Sequence, residues 1–141
     1  MPSALAACNG NDYIAPMPKL LLVMLGGAIG AGLRYHISRM AIANLGPAFP
    51  WGTWAINLLG ALFMGILAGL LIREGASGEP LRLFLGVGVL GGFTTFSAFS
   101  LELVAMLQRG DYAVGLAYAL SSVAGSAALL IFGLWATRSL A

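Results

Sequence analysis

The chain has 141 residues, 60% of them hydrophobic and only 9% charged, with a mean hydropathy of +0.92. A soluble domain carries roughly a quarter of its residues as Asp, Glu, Lys and Arg, so this chain lacks the charge to solvate a globular surface and must present apolar surface to lipid. The formal charge of +2 and pI near 9.0 rest on few groups; they make no nucleic-acid patch and read instead as membrane-flanking anchors.

The length allows one small domain. Cys8 is the only cysteine, which excludes an intrachain disulfide and any cysteine-rich metal site. The run Leu5-Ala6-Ala7-Cys8 resembles a lipoprotein processing box, but no Lys or Arg precedes it and the apolar stretch before it is short for a signal sequence. Residues 1–18, with Asn9, Gly10, Asn11, Asp12, Pro16 and Pro18, read as a poorly ordered tail. Residues 19–141 form the membrane domain.

Crossing a bilayer takes about 20 apolar residues in a helix. Four runs satisfy this: from after Lys19 to near Arg39, Trp51 to Ile72, Leu81 to Leu107, and Tyr112 to Thr137. Trp51 and Trp54 suit an interfacial belt at the start of the second. The runs are continuous rather than alternating, which excludes a β-barrel. The links are short, so neighbouring helices run antiparallel. Glycines fall in rows, Gly26 with Gly30 and Ala61 with Gly65 and Gly69, and such rows let helix backbones approach closely in lipid. They predict a compact bundle and no chemistry.

Four spans place Lys19, Arg73, Arg82 and Arg138 on one side and Arg34, Arg39 and Arg109 on the other. Four against three is almost no positive-inside bias. Such a chain can insert in both orientations, and four spans are few to enclose a polar path, so an oligomer of oppositely oriented copies is one reading. A single orientation set by other features is equally compatible with the charges.

Several polar groups lie at membrane depth, where they need a partner or a watery cavity. Asn57 lies within the second span; an interhelical hydrogen bond and a polar path both suit it. Arg34 lies about one turn before the expected end of the first span, within snorkelling reach of the interface. His36 has no second histidine to support a ligand role and reads as interfacial. Glu102 lies past the middle of the third span, and its role stays open. In the fourth span Tyr118, Ser122 and Ser126 recur every four residues, which sets three hydroxyls in one row. That row is either a polar track or a set of serines bonded to their own backbone.

The third span carries the strongest signal, Gly91-Gly92-Phe93-Thr94-Thr95-Phe96-Ser97-Ala98-Phe99-Ser100. Paired glycines followed by two β-branched residues weaken a helix near the bilayer centre. Unwound backbone at that depth is tolerated only when buried in protein or lining a cavity. Freed carbonyls suit a cation such as Na⁺, and freed N–H groups suit an anion. Phe96 and Phe99 share a helix face; taken alone that spacing reads as simple packing, but beside the break their positive ring edges also suit contact with an anion without trapping it.

Extended through Leu101 and Glu102, this segment resembles the third-helix signature of the bacterial fluoride channels, the CrcB/Fluc proteins. The run from Gly26 to Tyr35 is similar to their first-helix pattern and that from Gly52 to Gly60 to their second. The likeness covers Lys19 to Thr137. It departs locally at Phe93, where members often have Leu or Met, and at Ala98, where they often have Thr. The resemblance implies an all-α membrane protein: four transmembrane helices with a broken third helix, assembled as a dual-topology antiparallel homodimer in the bacterial inner membrane. It implies a structural Na⁺ on the backbone carbonyls of Gly91 and Thr94 of both copies. It assigns Phe96 and Phe99 as pore phenylalanines and Asn57 as the pore amide. Thr95, Ser97, Tyr118, Ser122 and Ser126 become hydroxyls along the fluoride route, and Arg34 the basic residue organising the entrance. The implied function is passive fluoride export and not an enzymatic reaction. The alternative class is a proton-coupled small multidrug exporter, but that chemistry needs a carboxylate in the first span, which has none.

Overall fold

The computed structural model of the chain describes residues 17–74 and 78–139. The expected tail, with Cys8, lies outside the described residues except for Met17 and Pro18, which begin the first helix. All regular structure among the described residues is helical. Helix α1 spans Met17–Leu45 and α2 spans Trp51–Glu74. The third span comprises α3, residues 79–93, and α4, Phe96–Gln108. Helix α5 spans Tyr112–Ser139. Among the described residues four segments, Pro18–Leu45, Trp51–Ile72, Glu79–Gln108 and Tyr112–Ser139, are long and apolar enough to cross a membrane.

The first span runs further than its expected end near Arg39. Met40 to Ala43 continue the apolar helix, Asn44 Nδ2 donates to Met40 O at 2.7 Å, and the turn comes only at Gly46. Gly46 has φ +78° and its N–H donates to Ile42 O at 3.0 Å, a left-handed cap that favours glycine. The extension moves Arg34 about three turns from the helix end. It no longer lies at the margin where snorkelling is easy. Helix α4 ends in a Schellman motif: Gly110 at φ +83° donates to Leu107 O, and Asp111 N–H donates to Met106 O.

Two helix pairs dominate the packing, α1 on α3 and α2 on α5, and α4 leans on α5. The glycine rows lie at these crossings. A Cβ on Gly26 would stand 2.9 Å from Gly88 Cα, and one on Gly65 would stand 2.9 Å from the carbonyl carbon of Leu130. Backbone approaches backbone there, as lipid-phase packing requires when no hydrophobic effect drives helices together. Within α3, Arg82–Leu90 has the wider π-helical hydrogen bonding, and Gly88 in that stretch lies against α1 at Gly26.

Little of the apolar surface is buried. Phe99, Met106 and Tyr118 form a small core, while Leu25, Met40, Ile72, Leu101, Leu120 and Trp135 all lie exposed. This outer surface suits a hydrocarbon solvent and not water.

Candidate functional site

The helical ladder of the third span lapses at two threonines. Thr94 has φ −75° and ψ 158°, and Thr95 has φ −151° and ψ 122°. The sequence places the weak point over the paired glycines and the two β-branched residues after them; Gly91 and Gly92 remain helical, and the threonines are the extended residues. β-branched side chains favour extended backbone, and a threonine can also cap the helix that resumes. Thr95 Oγ1 accepts from Ala98 N–H at 3.2 Å, the N-cap of α4.

Asn57 of α2 fastens this junction at two points. Its Oδ1 accepts from Thr95 N–H at 2.9 Å, and its Nδ2 donates to Thr95 O at 3.0 Å. The amide thus does for one extended residue what a neighbouring strand would do. Both backbone groups of Thr95 are satisfied at a depth where an orphan costs several kcal/mol. One Nδ2 hydrogen remains after this pairing. Arg34 of α1 reaches the same junction, with Nη1 at 3.5 Å from Thr94 O.

These bonds have a consequence for the carbonyls. In an unbroken helix Gly91 O would accept from Thr95 N–H, and Thr94 O from Ala98 N–H. Asn57 takes the first donor and the Thr95 hydroxyl takes the second. Two neutral, hard oxygens therefore lose their helical partners, which is the donor type a small alkali cation accepts. Among the described residues no group of three His, Cys, Asp or Glu side chains is placed to hold a metal.

Beside the junction lies an open cleft of about 410 Å³ between α2, α4 and α5. Asn57, Thr94, Thr95, Phe96, Phe99, Ser122 and Ser126 all contribute to its wall. Ser122 is only 5% exposed, and its Oγ has no hydrogen-bond partner among the described residues. A buried orphan hydroxyl is uncommon and calls for an explanation. The two phenylalanines differ: Phe96 is 78% exposed, while Phe99 is buried against Tyr118. Their ring centroids are 5.7 Å apart.

The structure divides the hydroxyl row of α5. Ser122 and Ser126 face this cleft, but Tyr118 lies elsewhere, its ring against Phe49 and Phe99 and its hydroxyl donating to Glu102 Oε2 at 2.8 Å. Ser97 also stands outside the cleft wall, exposed, with its Oγ 3.4 Å from Thr95 Oγ1. Arg34 touches the junction from the α1 side and does not line the cleft.

Sequence reasoning left Glu102 without a role and gave Thr53 none. Glu102 Oε1 accepts from Thr53 Oγ1 at 2.7 Å, so its carboxylate bridges α2 and α5 through two hydroxyl donors. A signal existed: Thr53 lies one turn before Asn57, and Glu102 follows Thr95 and Phe99 at helical spacing. All of them share the faces that meet at the junction.

Residues 21–134 match the family described as CrcB-like protein, Camphor Resistance (CrcB). A protein of Novosphingobium aromaticivorans named "Fluoride-specific ion channel FluC" is 54% identical over 127 residues, covering 89% of this chain and 100% of the relative. Proteins of the same name from Chelativorans sp. and Phenylobacterium zucineum are 51% and 52% identical, covering 88% and 86% of this chain and 99% and 97% of theirs. The shared name is that of a channel, not of an enzyme. With four apolar helices and this match, the chain is a multi-pass membrane protein that belongs to the CrcB-like family.

Proposed function

We propose that this chain forms a fluoride-selective channel that passively releases F⁻ from the cytoplasm, assembled from two oppositely oriented copies. The observation that carries this reading is the cleft lined by Phe99, Ser126, the Asn57 amide and the buried Ser122 hydroxyl, which has no partner among the described residues, beside the helix junction. Kinship with proteins named fluoride channels points the same way.

Fluoride is small and strongly hydrated, so a path must replace part of its water without holding it fast. Ser122 Oγ–H, Ser126 Oγ–H and the remaining Asn57 Nδ2 hydrogen are neutral donors, each weak enough to release the ion. Ring edges of Phe96 and Phe99 add positive quadrupole without a formal charge. The strong exposure of the Phe96 ring supports a second copy that would cover it and complete the wall of the path. HF that crosses the lipid dissociates in the cytoplasm, and the inside-negative potential then drives the anion out.

A structural Na⁺ fits the junction on donor chemistry: Gly91 O and Thr94 O have both lost their helical N–H partners to side-chain bonds. Contributed by two copies, these carbonyls would hold the ion and pin the copies together, and the cation would supply only charge and cross-linking. Fluoride-electrode recording of efflux from proteoliposomes tests the function. Rapid fluoride release with no chloride or drug transport supports it; absence of fluoride flux overturns it.

A further inference from the structure

Arg34 stands where a resident cation would be least welcome. Its Nη1 lies 3.5 Å from Thr94 O, one of the two carbonyls whose helical donors are diverted. At that length the bond is weak. It is nevertheless the one contact of a charged side chain on the junction among the described residues. Glu102, the acid on α4, is occupied by Thr53 and Tyr118 and offers Arg34 no bond. Lys19, the other cation on α1 with a described partner, is paired with Glu79 at 2.8 Å.

We infer that Arg34 sets the affinity of the junction for its cation by competing for the Thr94 carbonyl, an inference that rests on the sodium reading above. A carbonyl oxygen has two lone pairs, so geometry alone does not forbid sharing. Charge does. A guanidinium is permanently protonated, and two cations a few ångströms apart in partly buried surroundings repel strongly. Arg34 therefore satisfies Thr94 O when the cation is absent and opposes it when present. The device keeps an otherwise orphaned carbonyl from standing bare during assembly, and it holds the cation affinity below what the bare oxygens would give.

The test measures thermal unfolding of the full chain in detergent against Na⁺ concentration, with N-methylglucamine replacing Na⁺ at constant ionic strength. Arg34→Gln keeps a donor but removes the charge; Arg34→Lys keeps the charge. The half-saturating Na⁺ concentration is expected to fall by about tenfold or more in Arg34→Gln and to stay within about twofold of the parent in Arg34→Lys. A parent that responds to Na⁺ while Arg34→Gln responds at the same or a higher concentration overturns the competition and leaves the sodium reading standing. Absence of any Na⁺ effect in all three proteins overturns both. If Arg34→Gln fails to fold, a Na⁺ midpoint in Arg34→Lys shifted beyond that twofold range overturns the charge argument, and an unmoved midpoint supports it.

Discussion

Replacing Asn57 by Ala removes both fastenings of the helix junction at once. The two bonds, at 2.9 Å and 3.0 Å, satisfy the N–H and the C=O of a residue that is only 8% exposed. A buried polar group left without its partner costs about 1–3 kcal/mol. Two such groups set a range of about 2–6 kcal/mol, and water entering the adjacent 410 Å³ cleft relieves part of it. The expected loss is therefore about 2–4 kcal/mol, or a shift of about 30- to 1,000-fold in the unfolding equilibrium. Titration of the purified protein with sodium dodecyl sulfate, followed by fluorescence of Trp51, Trp54 and Trp135, reads this directly. A loss below about 0.5 kcal/mol, the scatter of an ordinary surface substitution, refutes the view that the Asn57 amide holds the junction.

Asn57→Asp keeps the acceptor for Thr95 N–H but puts negative charge beside the proposed anion path; fluoride efflux from liposomes is expected to slow, and faster efflux would count against the path. Phe96→Ile keeps apolar bulk but loses the ring edge. Efflux is expected to vanish while size-exclusion chromatography shows the same oligomeric state as the parent, and unchanged efflux refutes the pore role. Ser122→Ala removes a buried hydroxyl that has no partner among the described residues, so stability is expected to change by less than about 1 kcal/mol or to rise slightly. Its fluoride efflux should nevertheless fall severalfold, and a variant that conducts like the parent excludes Ser122 from the route.

Local features made much of this protein legible. Continuous apolar runs separated by short polar links show four helical spans, because lipid admits only helices and closed barrels and barrel strands would alternate. The glycine rows foretold close helix crossings, since only a missing Cβ permits the approach seen at Gly26 and Gly65. The Gly91–Thr95 run marked the third span as the weak one, although the extended residues proved to be the threonines and not the glycines. β-branching and the capping hydroxyl outweighed glycine flexibility there.

Partnership was decided only by the tertiary structure. Asn57 meets Thr95 across 38 residues, Thr53 meets Glu102 across 49, and Arg34 meets Thr94 across 60. Such pairs depend on the rotation and crossing of separate helices, which periodicity in a single helix does not encode. Tyr118 shows the limit most clearly: its spacing joined it to Ser122 and Ser126, yet the approach of α4 drew its hydroxyl to Glu102. A sequence places a polar group on a face; the neighbouring helix determines what that group holds.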